Sequence, residues 1–237
     1  MKLIEVKTRA QERAFLDVAR EIYKTDPVWV CPLDSTVAGV FDPKKNNFFR
    51  HGEASRWILM DESGKLIGRV AAFINRKKAF GYEQPTGGMG FFECINDQQA
   101  AFLLFDQCKA WLKARGMEAM DGPINFGEND NFWGLLVEGF THPSFGMPYN
   151  PPYYETFFRA YGFNEYFEQV TNHLDLTKQF PERFWKIAGW VRKKPGFDWR
   201  HFEWKQSDKF IKDIKEIYDE AWQFHQNFTP LEISTIK

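Results

Sequence analysis

Residues 150–176 have the sequence NPPYYETFFRAYGFNEYFEQVTNHLDL, and this stretch decides how the rest of the chain is interpreted. The two prolines at its start suit the first turn of a helix, where a missing N–H group costs no hydrogen bond. An apolar face follows at helical spacing, made of Tyr154, Phe157, Phe158 and Tyr161. Gly162 suits the left-handed residue just past a helix end. From Tyr166 to Leu176 apolar and polar residues alternate, which predicts a strand directly after the helix.

The composition indicates a folded protein and argues against several function classes. The chain has 237 residues, 43% of them hydrophobic and 27% charged, with a net charge of −1. Near-neutral charge argues against binding nucleic acid through its phosphates. We find no apolar run long enough to span a membrane and no signal-peptide core, so we expect a cytoplasmic protein without a membrane role. The three cysteines lack metal-ligand spacing, and we expect no metal site.

Outward from the opening stretch, the pattern alternates strands with helices. Strands are predicted at 3–7, 56–60, 65–74, 91–95 and 117–124, and helices at 11–23 and 96–116. The segment Asp61–Gly64 predicts a hairpin turn between the second and third strands. Residues 125–149 form a long polar and aromatic insertion, with one short helix expected near 132–137. The predicted class is therefore α/β, with helices flanking a mixed sheet.

The opening stretch resembles the end of the GNAT-type N-acetyltransferase fold. The run Phe157–Phe158–Arg159–Ala160–Tyr161–Gly162–Phe163 is similar in shape to the last seven positions of that family's pattern. The predicted element order over residues 1 to about 176 is also the GNAT order. The resemblance implies a GNAT-like mixed twisted sheet over residues 1–177, and an N-acyltransferase activity that uses acetyl-CoA or another acyl-CoA as donor.

The remaining residues, 178–237, resemble the opening of a second copy of the same domain. Helices are predicted at 181–193, with Phe184, Trp185, Ala188 and Val191 inward, and at 208–222, with a strand at 199–205. The run Phe210–Tyr218 is similar to Phe15–Tyr23, although any two amphipathic helices share some likeness. We expect a linker helix and a partial repeat from a truncated tandem protein. Such a tail has to pack on the first domain or on another copy, which would make a homo-oligomer.

Two residues are predicted to carry the chemistry. Glu93 is a lone carboxylate in an apolar strand, and burial could raise its pKa enough to take a proton from an ammonium group. The alternative is a strand-end Glu that is solvated or paired with an arginine. The GNAT resemblance implies a tyrosine acid at the position of Phe158. Because Phe cannot donate a proton, Tyr154, one turn earlier, is the candidate acid; otherwise it is a core residue.

The resemblance also implies a site for the CoA diphosphate where the helix at 96–116 begins. The candidate cofactor-binding residues are Ile95, Asn96, Gln98, Gln99 and Ala100. The glycine of the family's phosphate loop is absent, and Asp97 adds a negative charge. The alternative is that Asn96 or Asp97 caps the helix. On the substrate side, the polar residues expected at the rim are Asn125, Glu128, Asn129, Asn150 and Tyr153.

Three functions remain open at this point. The first is an acyltransferase that moves an acyl group from a CoA thioester to a small-molecule amine. The second is an aminoacyl transferase similar to the Fem-type enzymes, which would take charged tRNA rather than CoA. The third is a non-catalytic half that binds a ligand or a partner.

Overall fold

The computed structural model describes residues 1–81, 83–126, 134–196, 198, 200–224, 228 and 230–236. The chain separates into two compact units, Met1–Asn164 and Glu165–Lys237. The first unit holds strands β1 (Lys2–Glu5), β2 (Gly52–Met60), β3 (Leu66–Asn75), β4 (Thr86–Cys94) and β5 (Ala119–Asp121). Its helices are α1 (Arg9–Ile22), α2 (Asp34–Val40), α3 (Gln98–Lys113) and α4 (Tyr154–Tyr161).

The five strands form one sheet in the order β1-β2-β3-β4-β5. The first three pairings are antiparallel, and β5 runs parallel to β4. The β2–β3 turn forms where it was predicted, because the Asp61 carboxylate accepts the backbone N–H groups of Ser63 and Lys65 and Gly64 takes a φ of 85°. The predicted class, an α/β fold with a mixed sheet flanked by helices, is confirmed.

Each face of the sheet is covered by its own pair of helices. On one face α3 and α4 pack against β-strand side chains around Phe92, Phe105 and Phe158. On the other face α1 and α2 enclose a smaller cluster around Phe15, Ile58 and Phe91. Helix α1 begins at a capping box, in which the Thr8 hydroxyl accepts the Gln11 N–H and the Gln11 side chain accepts the Thr8 N–H. This capping fixes where α1 starts over the sheet.

Helix α4 forms as predicted, but the strand predicted after it does not. Gly162 ends α4 with a φ of 104°, the left-handed conformation expected there. Residues 164–176 are in no strand, and the apolar positions Tyr166, Phe167, Val170, Leu174 and Leu176 are all exposed. Alternation alone does not make a strand, because its backbone groups need a neighbouring strand to bond. The compact unit accordingly ends at Asn164 rather than near residue 177.

The second unit contains helices α5 (Glu182–Lys193), α6 (Ser207–Trp222) and α7 (Ile233–Ile236). The strand predicted at 199–205 is wrong, since the described residues there are irregular until a 3-10 turn at Trp204–Gln206. The strand of the expected partial repeat is therefore absent from the described residues, and the repeat itself stays a prediction. No described residue of this unit is buried, and the side chains of α5 predicted to face inward are exposed. The short helix expected near 132–137 is absent from residues 134–137, and the rest lies outside the described residues.

Candidate active site

The site lies at the C-terminal end of β4, beyond its pairing with β5. The parallel ladder joins Thr86–Gly88 to Ala119–Asp121, and the Ile124 N–H then donates to the Met89 carbonyl at 2.8 Å. At Cys94 the backbone is bonded by side chains instead. Its N–H donates to the Tyr154 hydroxyl at 2.7 Å, and its carbonyl accepts the Tyr153 hydroxyl at 2.9 Å. Helix α4 thus supplies at Cys94 the hydrogen bonds that a neighbouring strand would supply.

A β-bulge in β4 decides which way Glu93 points. Two residues, Phe91 and Phe92, oppose Val70 of β3, and Phe91 has a φ of 49°. Because the extra residue resets the alternation, Met89 and Cys94 both face the α3 side although they are five positions apart. Glu93 consequently faces the α1 side. A regular strand would turn it into the apolar core with Met89.

Glu93 is held by three side chains from three elements. The hydroxyls of Tyr23 and Tyr154 donate to its Oε2 at 2.8 and 2.9 Å. Arg69, directly across the β3–β4 pair, places Nη2 at 3.4 Å from Oε1. The Glu93 side chain is 12% exposed and that of Arg69 is 6% exposed. The carboxylate is therefore almost enclosed.

The surroundings of Glu93 have opposing effects on its proton affinity. Burial raises the pKa of Glu93, while the charge of Arg69 and the hydrogen bonds from Tyr23 and Tyr154 work against the rise. The net direction is upward, so this carboxyl takes up a proton more readily than an ordinary glutamate. Burial, followed by the charge of Glu93, raises the pKa of Tyr154 and Tyr23 well above the usual value, so both keep their hydroxyl protons.

Arg69 links the site to the first helix. Its Nη1 donates to the Phe15 carbonyl at 2.9 Å, and its guanidinium lies 4.9 Å from the centre of the Phe15 ring. Its Nε is buried and has no hydrogen-bond partner among the described residues. Losing Glu93 would leave this charge in the interior without its carboxylate, which ordinarily costs several kcal/mol.

An aromatic rim lies above this cluster. Tyr23 stacks on Trp29 with ring centres 4.8 Å apart, and Tyr149 lies 6.0 Å from Tyr23. The Tyr149 hydroxyl donates to Asp26 at 2.7 Å, which fixes the rim to the end of α1. A shallow depression of about 10 Å³, room for roughly one water molecule, lies beside Arg69. Its lining is mainly apolar and does not include Glu93: Leu16, Ala19, Arg20, Trp29, Cys31, Pro32, Asp34, Val37 and Arg69.

The residues predicted from the sequence are only partly brought together here. Glu93, Tyr154 and Tyr153 meet at the end of β4. Asn150 is buried, and its side chain bonds the backbone N–H and carbonyl of Leu136, so it fixes the insertion. Asn125 is also buried. Glu128 and Asn129 lie outside the described residues.

The start of α3 is already occupied by an acidic side chain. The Asp97 carboxylate accepts the N–H groups of Gln99 and Ala100 at 2.8 and 3.1 Å. The Ile95 N–H donates to the Ile67 carbonyl, and Asn96 and Gln98 are exposed. Two of the amides expected to bind a diphosphate are therefore taken, beside a negative charge that would repel one. The residues present fit a helix cap better than a diphosphate site.

Sequence reasoning missed Arg69, Tyr23, Trp29 and Tyr149. Arg69 left a signal, because it is the one charge within the apolar run 66–74, as Glu93 is within 91–95. Two lone, opposite charges in adjacent antiparallel strands indicate a buried pair. Glu93 does have an arginine partner, and because its pKa is nevertheless raised, the base role stays a prediction. Tyr23 and the rim residues left no comparable signal, because their contacts join distant segments.

No family model matches the sequence. The chain is 31% identical to Bacterial ceramide synthase of Caulobacter vibrioides, over 97% of this chain and 60% of that protein. It is 28% identical to Protein YghO of Escherichia coli, over 92% of this chain and 55% of that protein. The chain thus spans little more than half the length of these curated relatives.

Solved structures with a similar arrangement are acetyltransferases. Glucosamine-6-phosphate N-acetyltransferase from Arabidopsis thaliana matches with a TM-score of 0.42 and 11% identity, over 74% of this chain and 100% of that chain. An acetyltransferase of Trypanosoma brucei matches with the same TM-score and identity, over 73% of this chain and 99% of that chain.

Two kinds of feature are absent from the residues that the structure describes. None of the helices in the described ranges has the length and apolar character needed to cross a bilayer. Within the same ranges, histidine, cysteine, aspartate and glutamate side chains form no group that could hold a metal ion.

Proposed function

We propose that this chain carries the acyl-transfer site of an N-acyltransferase, with Glu93 as the general base. The observation that carries the proposal is the placement of Glu93. It is a nearly buried carboxylate of raised pKa at the end of β4, with Arg69 directly across the β3–β4 pair. A base of this kind can take a proton from an ammonium group near neutral pH, because its pKa is closer to the working pH.

The reaction would proceed by addition and elimination. Glu93 takes a proton from the ammonium group, and the neutral amine attacks the carbonyl carbon of a thioester. The C–N bond forms, the attacking nitrogen gives up a second proton, the C–S bond breaks, and the released thiolate takes up one proton. The proton that Glu93 received passes to solvent, so an ammonium ion and a thioester give an amide, a thiol and one proton.

The tyrosines have a positioning role in this proposal. The Tyr154 hydroxyl accepts the Cys94 N–H and donates its single proton to Glu93, so it is satisfied on both sides. We therefore assign Tyr154 to orienting the carboxylate, in place of the acid role predicted from the sequence. Tyr23 bonds the same oxygen from α1. Together they keep Oε1 and Oε2 in a fixed orientation.

The proposed substrate class rests on the name of one relative. The relative named as a ceramide synthase has a name that denotes joining a fatty acyl group to a long-chain amino alcohol. We propose a long-chain amine as the acceptor and a fatty acyl thioester as the donor.

The group that carries the acyl chain, CoA or tRNA, is less well supported than acyl transfer itself. Acyl-CoA agrees with the acyltransferase resemblance, but Asp97 occupies the amides that would bind its diphosphate. This observation favours a second candidate, a Fem-like aminoacyl transfer that uses charged tRNA. Melting the protein with acyl-CoA, acyl-pantetheine or aminoacyl-tRNA separates the two, because a bound ligand raises the melting temperature. If the donor is a thioester, acyl-CoA or acyl-pantetheine should raise the melting temperature. If the donor is charged tRNA, only aminoacyl-tRNA should raise it.

The experiment that tests the role of Glu93 is Glu93→Gln, assayed for amide formation by mass spectrometry. We expect turnover to fall by about 100-fold or more, since general-base catalysis contributes that much. Glu118→Gln, at an exposed position before β5, is the matched control and should leave turnover unchanged. Thioester binding by the Glu93→Gln protein should persist. Unchanged turnover in Glu93→Gln would remove the base assignment.

A further inference from the structure

Helix α5 has a regular apolar face with aromatic borders. Phe184, Ile187, Ala188 and Val191 recur at the spacing of one helix face. Trp185 and Trp190 lie on either side of that face. Arg183 and Lys194 lie over aromatic rings at its edges, at 5.2 Å from Phe184 and 5.3 Å from Trp190. Aromatic side chains beside long basic ones are typical of helices at a membrane surface.

Within the second unit, Phe180 lies beside one end of this face, with its ring centre 6.1 Å from that of Phe184 and 6.0 Å from that of Trp185, and most of the helix is exposed. No residue of α5 is buried, and Trp185, Ile187 and Trp190 are 60%, 58% and 62% exposed. Two exposed tryptophans on one twelve-residue helix form an apolar surface that water solvates poorly. Such a surface marks a contact with something apolar.

The charge of α5 indicates which kind of partner its apolar face contacts. The helix carries four basic residues, Arg183, Lys186, Arg192 and Lys193, and one acidic residue, Glu182. The whole chain has a net charge of −1, so this positive charge is concentrated locally. Helix α6 also exposes apolar residues, Ile214 and Ile217, but carries five acidic residues and three basic ones. Of these two helices, α5 is the one that combines exposed apolar residues with a net positive charge.

We propose that α5 docks this protein on the surface of an anionic lipid bilayer. The apolar face would enter the boundary between headgroups and acyl chains, and the basic residues would contact anionic headgroups. The helix would lie in the plane of the surface, since twelve residues are too few to cross a bilayer. This departs from the expectation, drawn from the sequence, of no membrane contact. The proposal is independent of the acyl-transfer assignment.

Flotation of the full chain with vesicles tests the proposal. One set contains phosphatidylcholine alone, and the other contains about one third phosphatidylglycerol, which gives the surface a negative potential. We expect the protein to float with the anionic set and to remain below with the neutral one. Raising the salt concentration should reverse the binding, because salt screens the attraction.

Two variants of α5 identify the contact surface. Trp185→Ala combined with Trp190→Ala should lower partitioning about tenfold or more, because two large apolar groups no longer enter the bilayer. Lys186→Gln and Lys193→Gln should lower it about fivefold each. Ile214→Ser combined with Ile217→Ser, at the exposed positions of α6, is the matched control and should bind as the parent does. Circular dichroism should show unchanged folding throughout, since the altered side chains are exposed.

Other outcomes would overturn the proposal. Equal flotation with the two vesicle sets would show that the basic residues do not direct binding to anionic lipid. Parental binding by the tryptophan variant would show that α5 is not the contact surface. If sedimentation shows a dimer that the tryptophan variant dissociates, and no vesicle binding occurs, the face belongs to a second copy. If the chain is monomeric and does not float, α5 has a protein partner or another segment of a longer chain as its contact.

Discussion

The two halves of β4 have opposite roles although they belong to one strand. In the first half, Gly87, Gly88 and Gly90 have no room for a side chain, and backbone and core side chains fill the space on every side. In the second half, Phe91 leaves the regular strand conformation, and the backbone of Cys94 is bonded by two tyrosines. The first half holds the sheet together. The second half presents a carboxylate, which teaches that a bulge can divide one strand into a structural part and a chemical part.

The largest expected effect is in the closed half. A Cβ at Gly90 would lie 1.7 Å from the Ile124 carbonyl oxygen and 2.7 Å from the carbonyl carbon. No side-chain rotation can relieve this clash, because the atoms of Ile124 are backbone. We expect Gly90→Ala to lower the free energy of unfolding by about 3 kcal/mol or more. Chemical denaturation measures this loss.

The same change in an open place provides its control. Gly189 lies inside α5, and a Cβ there meets nothing within 4 Å. Gly189→Ala should leave the stability unchanged or raise it by about 0.5–1 kcal/mol, because alanine favours a helix. If Gly90→Ala and Gly189→Ala change the free energy of unfolding equally, close packing around the first half of β4 does not stabilise that strand.

The next effect is in the open half. Tyr154→Phe removes the acceptor of the buried Cys94 N–H and one donor to Glu93, while the ring remains in the core. We expect a loss of about 1–3 kcal/mol in unfolding free energy from the unsatisfied amide. Tyr161→Phe on the same helix removes only an exposed bond to Asp106 and should cost less than about 1 kcal/mol. Equal losses would show that the tyrosine does not replace a strand at Cys94.

Much of the fold was predictable because its signals are local. The capping box at Thr8, the turn at Asp61–Gly64 and the glycine after α4 each depend on residues that are close in sequence. The strand expected at 166–176 failed because a strand requires a neighbour, which a local pattern does not reveal.

The candidate site was predictable only in part. Glu93 could be identified because a charge in an apolar strand needs a reason. The bulge that directs it, and the contact with Tyr23 seventy positions away, depend on how distant segments pack. The role of Asp97 could also not be decided from the sequence. Both readings of the segment were open from the sequence, and the hydrogen bonds to Gln99 and Ala100 decide for a cap.

The smallest effect concerns that cap. Asp97→Asn keeps an oxygen for the Gln99 and Ala100 amides but removes the negative charge, so stability should change by less than about 0.5 kcal/mol. If Asp97 is what discourages a diphosphate at α3, acyl-CoA should raise the melting temperature of Asp97→Asn more than that of the parent. Acyl-pantetheine, which lacks the diphosphate, should stabilise both proteins equally. A smaller shift with acyl-CoA in Asp97→Asn would contradict this interpretation.

The pH dependence of acyl transfer tests the role of the open half most directly. Glu93 accepts a proton only when it is ionised, and burial raises its pKa. The rate at limiting substrate should therefore rise with pH through a midpoint above the ordinary glutamate value of about 4.3. Glu93→Gln should lose this limb together with most of the rate, whereas Glu118→Gln should retain both. A midpoint at the ordinary glutamate value, or a limb that survives in Glu93→Gln, would contradict the account.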